Sequence, residues 1–169
     1  KSLLRNKYCV SNLEDFNKKN TFHRVLWDHA IDPKSKGFIK LKKNKEIKKV
    51  ILCSGKIYFD LLHAREKLKK DDIVFFRIEQ LYPFPAKILV KELKPYAKNA
   101  KFYWCQEEPK NMGAWNTARH YIDRTLDIIQ VKGEKVKYVG RNAAASPATG
   151  NLNKHLAEQK EILEKVISR

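Results

Sequence analysis

The chain has 169 residues, the size of one ordinary domain, and 43% of them are hydrophobic, which excludes a disordered chain. No stretch approaches the roughly 20 apolar residues that cross a bilayer, and the start, KSLLRNKYCV, lacks the apolar core and cleavage site of a signal peptide. The net charge of +17 would suit nucleic acid or a membrane surface, but lysines greatly outnumber arginines and alternate with acids, which favours solvated surface lysine with neither partner.

The chain begins irregularly and then becomes regular. Residues 1–30 form a poorly periodic arm, which we expect to pack on the sheet and to supply one short strand near 22–27. Residues 31–169 hold the α/β core of the single predicted domain. Within this core, the apolar, β-branched run of 48–55 predicts a buried strand, and the apolar positions of 57–68 recur at helical spacing. A strand followed by a helix is the first unit of an alternating pattern.

The alternation continues along the chain. Residues 72–80 and 101–106 predict two further strands, and the prolines of LYPFP place a helix from 85 to about 94 between them. After Gly113 comes the clearest helix. Its apolar stripe is formed by Trp115, Ala118, Ile122, Leu126 and Ile129.

A fourth strand is predicted at 135–139, and a last helix, capped by Thr149 or Asn151, follows it. The expected apolar face of this helix is formed by Leu152, Leu156, Leu163, Val166 and Ile167. Strands joined through helices, with connections of crossover length, make a parallel sheet with helices on both faces. The sequence therefore predicts an α/β fold with an edge strand from the arm, which can run antiparallel.

Polar side chains gather where the predicted strands end. The carboxyl ends of parallel strands lie at one edge of the sheet, where ligands and interfaces are found. We call this edge the carboxyl-end rim, and we expect Arg77 and Arg141 to face Glu79, Glu107 and Glu108 there. The candidate interface residues of the rim are Arg77, Glu79, Gln80, Gln106, Glu107, Glu108, Asn111 and Arg141.

The stretch YWCQEEPKNMGAW, residues 103–115, has the residue types of an active site. Neighbouring side chains on extended backbone point to opposite faces, so Glu107 and Glu108 cannot easily converge as a paired acid and base. Nothing in the sequence places a histidine beside Cys105, because His120 lies on the following helix. We therefore predict no catalytic residue here and interpret the stretch as an ion-pair and hydrogen-bond network at a domain interface.

The residue pattern gives little support to other binding sites. CSGK at 53–56 could bind an anion at a helix N-terminus, but a tight turn capped by Ser54 is the simpler interpretation, and SPATG at 146–150 is equally ambiguous. The three cysteines are widely spaced, which indicates a reducing compartment. The five histidines show no zinc-ligand pairing, so we predict no metal in this chain.

Five motifs, in order along nearly the whole chain, point to one family. They are KSLLR (1–5), VILCSGKIYFDL (50–61), RIEQLYPFP (77–85), CQEEPKNMGAW (105–115) and YVGRNAAASPATG (138–150). Together they resemble the carboxyl-terminal domain of the decarboxylating first component of the 2-oxoglutarate dehydrogenase complex. Met112 stands where that family more often has Gln, and Asn142 stands where it usually has Pro.

The resemblance implies a fold like the transketolase carboxyl-terminal domain, a three-layer α/β/α sandwich with a mostly parallel five-stranded sheet. It also implies a parent enzyme that oxidatively decarboxylates 2-oxoglutarate in the tricarboxylic acid cycle and transfers the succinyl group to lipoyl-lysine. Thiamine diphosphate and Mg²⁺ are expected in domains absent from this chain. The expected partners are the upstream domains of the same chain, a homodimer partner and the dihydrolipoyl succinyltransferase component.

This chain, which lacks an initiator Met, is expected to be an inactive fragment with a structural and assembly role, in the bacterial cytoplasm or the mitochondrial matrix. Some members of the family carry an acetyl-CoA effector site that involves this domain. Ser54, Arg141 and Ser146 are the candidate effector residues here, because they combine the basic rim with small-residue turns. The rival hypothesis is a stand-alone Rossmann-like module that binds a nucleotide or nucleic acid.

Overall fold

A computed structural model describes residues 3–17, 19, 21–131, 133 and 135–167, so Lys1 and Ser2 of the first motif lie outside the described residues. Strands and helices alternate as predicted. The strands are β1 (Val25–Trp27), β2 (Lys49–Cys53), β3 (Ile73–Ile78), β4 (Lys101–Pro109) and β5 (Lys137–Arg141). The helices are α1 (Ile57–Leu68), α2 (Ala86–Leu93), α3 (Trp115–Ile128) and α4 (Leu152–Ile167). Short 3₁₀ turns lie at Leu3–Arg5, Leu13–Phe16, Asn44–Glu46 and Lys94–Tyr96.

The five strands form one mixed sheet in the order β1-β3-β2-β4-β5. Strands β2 to β5 are parallel, and β1 is antiparallel to β3, with Val25 opposite Ile78. The predicted edge strand from the arm is therefore confirmed. Because β3 and β4 lie on opposite sides of β2, the chain reverses its direction of travel across the sheet there, and the carboxyl ends flank a topological switch point.

Alternate side chains of the strands fill two separate cores. Val50 and Leu52 of β2 and Trp104 of β4 point to the face that α2 and α3 cover. Ile51 and Cys105 point to the opposite face, which α1 and α4 cover. Because both faces of the central strands are covered, these strands are continuously apolar instead of alternating. The predicted three-layer α/β/α fold is confirmed.

A buried ion pair joins the end of β1 to the sheet. Arg65 of α1 contacts Asp28, and both side chains are fully buried. Asp28 also accepts the backbone N–H of Phe75 at 2.9 Å. Arg65 also packs on the aromatic ring of Phe75, whose centroid lies 4.6 Å from the guanidinium carbon. A buried ion pair is stable only when close contacts and further hydrogen bonds compensate both charges, so Arg65 and Asp28 fix how the end of β1 meets α1 and β3.

Strand β4 is longer than the predicted strand of 101–106. It continues to Pro109, with an irregularity in its pairing with β5 between Cys105 and Pro109. Glu107 and Glu108 therefore lie within the strand and not beyond its end. The prediction stopped too early because a run of polar residues resembles a loop, whereas the backbone pairing with β5 continues.

The apolar face of α4 is buried only in its second half. Val166 and Ile167 are 1% exposed, as predicted, but Leu152 and Leu156 are 69% and 56% exposed, so the prediction was wrong for these two. Only the second half of α4 contributes to the core cluster that it shares with α1, through Ile162, Val166 and Ile167. Asn151 caps the helix, since its Oδ1 accepts the N–H of Lys154 at 3.0 Å.

Tyr8 joins the part of the arm that precedes β1 to the rest of the domain. Tyr8 packs on Phe38, with ring centroids 5.2 Å apart, and its carbonyl lies 3.1 Å from Nε2 of His29. Several large apolar side chains of the same part of the arm nevertheless face outward. Those at least 75% exposed are Leu4, Val10, Leu13 and Phe16.

Candidate interface at the carboxyl-end rim

Gln106 ties together the turn between β4 and α3. Its side chain is buried, and its Oε1 accepts hydrogen bonds from the Trp104 indole at 2.9 Å and from the Trp115 backbone N–H at 3.0 Å. Its Nε2 donates, at 2.8 to 3.2 Å, to the backbone carbonyls of Glu108, Pro109 and Met112. The oxygen and the nitrogen of the Gln106 amide thus both bond to groups of the turn between β4 and α3, so Gln106 has a structural role.

Two glycines allow the backbone to approach Gln106. Gly113 has a φ of +64°, and a Cβ there would lie 3.0 Å from both Gln106 Nε2 and Glu108 Cβ. A Cβ at Gly140 would lie 2.4 Å from the Tyr138 hydroxyl and 2.8 Å from the Gln106 carbonyl oxygen. Glycine is required at the first position for backbone conformation and at both positions for space.

Glu107 belongs to a different group, on the α1 and α4 face. Its Oε1 lies 3.0 Å from Nζ of Lys56, which also binds Asp60 at 2.5 Å. Gln159 of α4 donates to Asp60 at 2.8 Å. Burial alone would lower the pKa of Lys56, but the hydrogen bonds from its ammonium to Asp60 and Glu107 outweigh it and raise that pKa. We call Lys56, Asp60, Glu107 and Gln159 the Glu107 cluster.

The two rim arginines have different partners. Arg77 pairs with Glu79 as predicted, with 2.6 Å between Nε and Oε1, and its guanidinium carbon lies 4.9 Å from the Tyr58 ring centroid. Arg141 instead pairs with Glu158 of α4, at 2.6 Å. The predicted pairing of Arg141 with the β4 carboxylates is therefore wrong, because α4 brings a nearer acid across the rim.

Two other candidates hold loops. Gln80 donates to the carbonyl of Pro83 at 2.6 Å. Asn111 exchanges two hydrogen bonds with the backbone of Ala144, both 3.0 Å long. These contacts fix the loops that follow β3 and β5, so the polar atoms of the rim are engaged mainly with one another.

The effector candidates fall into two places. Arg141 Nη1 donates to the Pro147 carbonyl at 3.1 Å, and Ser146 Oγ donates to the Ala148 carbonyl at 2.8 Å, within one loop. Ser54 lines a separate depression beside β4. It also makes no cap hydrogen bond, since Lys56 occupies the residue before α1. The effector site stays a prediction.

That depression, of about 400 Å³, opens between the ends of β2 and β4. Besides Ser54, its lining includes Glu108, Thr117 and the loop after β3. In that loop, Leu81 is 37% and Tyr82 is 81% exposed. An exposed aromatic side chain next to an unfilled depression has the form of a contact site for another surface.

Cys105 cannot serve as a nucleophile where it lies. It is fully buried, and burial raises its pKa well above the ordinary value of a thiol. The same holds for Cys53, and only thiolates are strong nucleophiles. Within the described ranges, no three His, Cys, Asp or Glu side chains come together as a metal site would require.

Sequence reasoning missed several of the rim's partners. Lys56 and Asp60 are four residues apart at the start of a predicted helix, and this spacing could have indicated an ion pair. Glu158 and Gln159 had no such signal, because they reach the rim only through the packing of α4 on α1. The sequence did not indicate Tyr82 as an interface residue, because the exposure of its side chain cannot be inferred from an aromatic residue in a proline-rich turn.

Comparison with known proteins agrees with this architecture. A family model described as 2-oxoglutarate dehydrogenase C-terminal matches residues 10–167. Proteins named 2-oxoglutarate dehydrogenase E1 component from Brucella abortus (strain S19) and Brucella anthropi are 52% identical to this chain over 164 residues, and that from Brucella ovis is 51% identical. Each match covers 97% of this chain, which spans 16% of the relative. None of the helices described above is long and apolar enough to span a membrane. The chain belongs to the 2-oxoglutarate dehydrogenase C-terminal family.

Proposed function

We propose that this chain is the carboxyl-terminal structural and assembly domain of a 2-oxoglutarate dehydrogenase E1 component. The observation that carries the proposal is the 52% identity over 97% of the chain. In this proposal the parent enzyme acts in the cytoplasm. It oxidatively decarboxylates 2-oxoglutarate with thiamine diphosphate and Mg²⁺ and transfers the succinyl group to lipoyl-lysine of the succinyltransferase component.

The residues of this chain do not fit that cofactor. A Mg²⁺ ion that holds a diphosphate needs carboxylate and carbonyl oxygens that converge on the metal. At the rim, Glu107 is paired with Lys56 and Arg141 with Glu158. We therefore assign cofactor binding to the upstream domains and derive no step of the reaction from the described residues.

Exposed apolar groups support an assembly role for the rim. Its polar atoms bond to one another, while Tyr82, Leu81 and the depression beside them have no partner surface among the residues described. Interfaces place aromatic residues at their centre and hydrogen-bonded polar residues around them. The partners proposed for this surface are the upstream domains of the same chain and the second subunit of a homodimer.

The test is Tyr82→Ala in the full-length enzyme, with Ile128→Ala as the control. Ile128 ends α3 and is 57% exposed, but it lies at the opposite end of the sheet. A central aromatic contributes about 2 kcal/mol to an interface, so Tyr82→Ala should raise the dimer dissociation constant about 30-fold in sedimentation velocity. Turnover per dimer should be unchanged. Dimers that are equally stable in both variants would contradict the proposed interface.

The isolated chain provides a second test. With thiamine diphosphate, Mg²⁺, 2-oxoglutarate and an artificial electron acceptor, it should give no turnover, because the proposed cofactor site lies elsewhere. The full-length enzyme serves as the positive control. Decarboxylation by the pure isolated chain would overturn the assignment to a non-catalytic domain.

A further inference from the structure

Lysines are concentrated at the end of the sheet opposite the rim. Every parallel strand is preceded by a lysine-rich segment, and the amino ends of parallel strands lie at one edge. Backbone hydrogen bonds join the segments before β2, β3 and β4, since Lys48 N–H donates to the Asp72 carbonyl and Lys101 N–H to the Lys48 carbonyl, both at 2.9 Å. The segment before β5 reaches the same edge because Lys137 lies opposite Tyr103 of β4. We call this surface the basic amino-end face; its segments are 42–48, 69–72, 98–101 and 135–137.

The charge of this face is not a simple result of a lysine-rich composition. Its four segments hold ten lysines and three acids, and two of those acids already pair with Lys42 and Lys48, at 3.2 and 3.5 Å. The corresponding loops of the carboxyl-end rim, at 54–56, 77–85, 106–114 and 140–151, hold four cations and three acids. The lysine excess therefore belongs to one end of the domain, where like charges repel unless a partner neutralises them.

The shape of the face leaves room for a partner. A depression of about 750 Å³ lies between the α2–β4 connection and the end of α3. Lys98 and Lys101 line it together with Asn99 and Gln130. Both lysines are exposed, as are Lys43 and Lys45 of the neighbouring segment.

The residue types favour an acidic protein over nucleic acid. The four segments contain no arginine and no aromatic residue. Nucleic-acid sites rely on arginine forks and on aromatic rings on which bases stack. Lysine ammoniums are hydrated point charges that suit scattered carboxylates. We propose that the basic amino-end face docks an acidic, carboxylate-rich surface of another protein; the choice of a protein partner rests on the proposed role within a multi-component enzyme.

The experiment titrates a fluorescent oligoglutamate peptide into the full-length enzyme in roughly 0.1 M salt, so that charges more than about 10 Å apart are screened. The test variant is Lys43→Glu with Lys98→Glu. The control, Lys87→Glu with Lys91→Glu, makes the same change in net charge on the exposed side of α2. The test variant should weaken peptide binding about tenfold and the control less than twofold, because opposed charges act only within about 10 Å in roughly 0.1 M salt.

The outcomes separate this proposal from its alternatives. Equal weakening in both variants, or no binding of the peptide by the wild-type enzyme, would overturn it. A second titration uses a DNA duplex with the same net charge as the peptide. If the wild-type enzyme bound the duplex more tightly than the peptide and the test variant lost that binding, the proposal would be overturned in favour of nucleic acid. The titration measures peptide binding and neither dimer formation nor turnover. A negative result would therefore overturn the proposed docking face without contradicting the proposed function.

Discussion

Gln106 and Glu107 are neighbours in the sequence but belong to different parts of the molecule. Gln106 points to the α2 and α3 face, is buried and forms five hydrogen bonds with fixed groups of the β4–α3 turn. Glu107 points to the α1 and α4 face, where its side chain is 30% exposed beside Lys56. The alternation of a β-strand separates them by the thickness of the sheet.

The difference shows that a stretch with the residue types of an active site can contain two groups with unrelated structural roles. The Gln106 amide satisfies buried polar groups, and removing it would leave them without partners. The Glu107 cluster is a charged contact near solvent, where water and salt can replace much of the attraction. The first group stabilises the fold, whereas the second is a partly exposed electrostatic contact.

The largest effect is expected from Gln106→Leu. It would leave the Trp104 and Trp115 donors and three carbonyls without this partner, so we expect a loss of about 4 kcal/mol in the free energy of unfolding. Urea denaturation of the chain measures this loss. The control is Gln80→Leu, which removes one exposed hydrogen bond and should cost less than about 0.5 kcal/mol. Similar losses in both variants would refute the special role of Gln106.

A smaller loss is expected when the space beside Gln106 is filled. Gly113→Ala combines an unfavourable positive φ with a contact of 3.0 Å to the Gln106 amide, for about 2 kcal/mol in total. Gly150→Ala is the matched control, since Gly150 has a φ of +67° and nothing within 4 Å of the added Cβ. It should lose only about 1 kcal/mol. Thermal unfolding distinguishes the two, and equal losses would show that the close contact is unimportant.

Glu107→Gln should have a weaker effect that depends on salt. Replacing the carboxylate removes an ion pair with Lys56 that is partly exposed, so the expected loss is about 0.5 kcal/mol. This loss should fade in high salt, whereas that of Gln106→Leu should persist. Urea denaturation at two salt concentrations measures both. A loss of stability for Glu107→Gln that does not change with salt would show that the cluster is not electrostatic.

We also expect Glu107 to contribute to assembly of the proposed full-length enzyme. Glu107→Ala should weaken dimers before it affects turnover per dimer, with Glu161→Ala on the exposed side of α4 as the control. Sedimentation velocity and steady-state turnover measure the two effects separately. Intact dimers with selectively lost turnover would give Glu107 a role in the chemistry instead.

The smallest contrast comes from His29, a titratable group that holds the arm. Burial lowers the pKa of His29, whose ring nitrogens lie 2.5 Å from the Tyr58 hydroxyl and 3.1 Å from the Tyr8 carbonyl. Arg77 also lowers this pKa, while the Tyr8 carbonyl, Asp28 and Asp32 raise it. The unfolded chain therefore takes up the proton first, and stability should fall as the pH decreases below about 6.5. His29→Gln should reduce this slope in urea denaturation; an unchanged slope would contradict it.

The sequence was sufficient for the alternation of strands and helices and for an edge strand from the arm, but it left the direction of that strand and the order of the sheet open. Continuous apolar runs marked strands covered on both faces, and helical periodicity marked the layers. It was insufficient for the rim, where Arg141 meets Glu158 and Glu107 meets Lys56. These pairs join residues that are 17 and 51 positions apart, and short-range spacing carries no information about them.

The sequence by itself indicated that Glu107 and Glu108 could not easily act as a pair, because adjacent side chains of extended backbone diverge. It also determined the family, since five ordered motifs carry that information without any coordinates. Only the tertiary structure showed which groups pair with the charged residues of the rim. It also showed that lysines from four separate segments share one surface. Charge acts through space and not along the chain, so its effect became defined only when the crossovers brought the strand ends together.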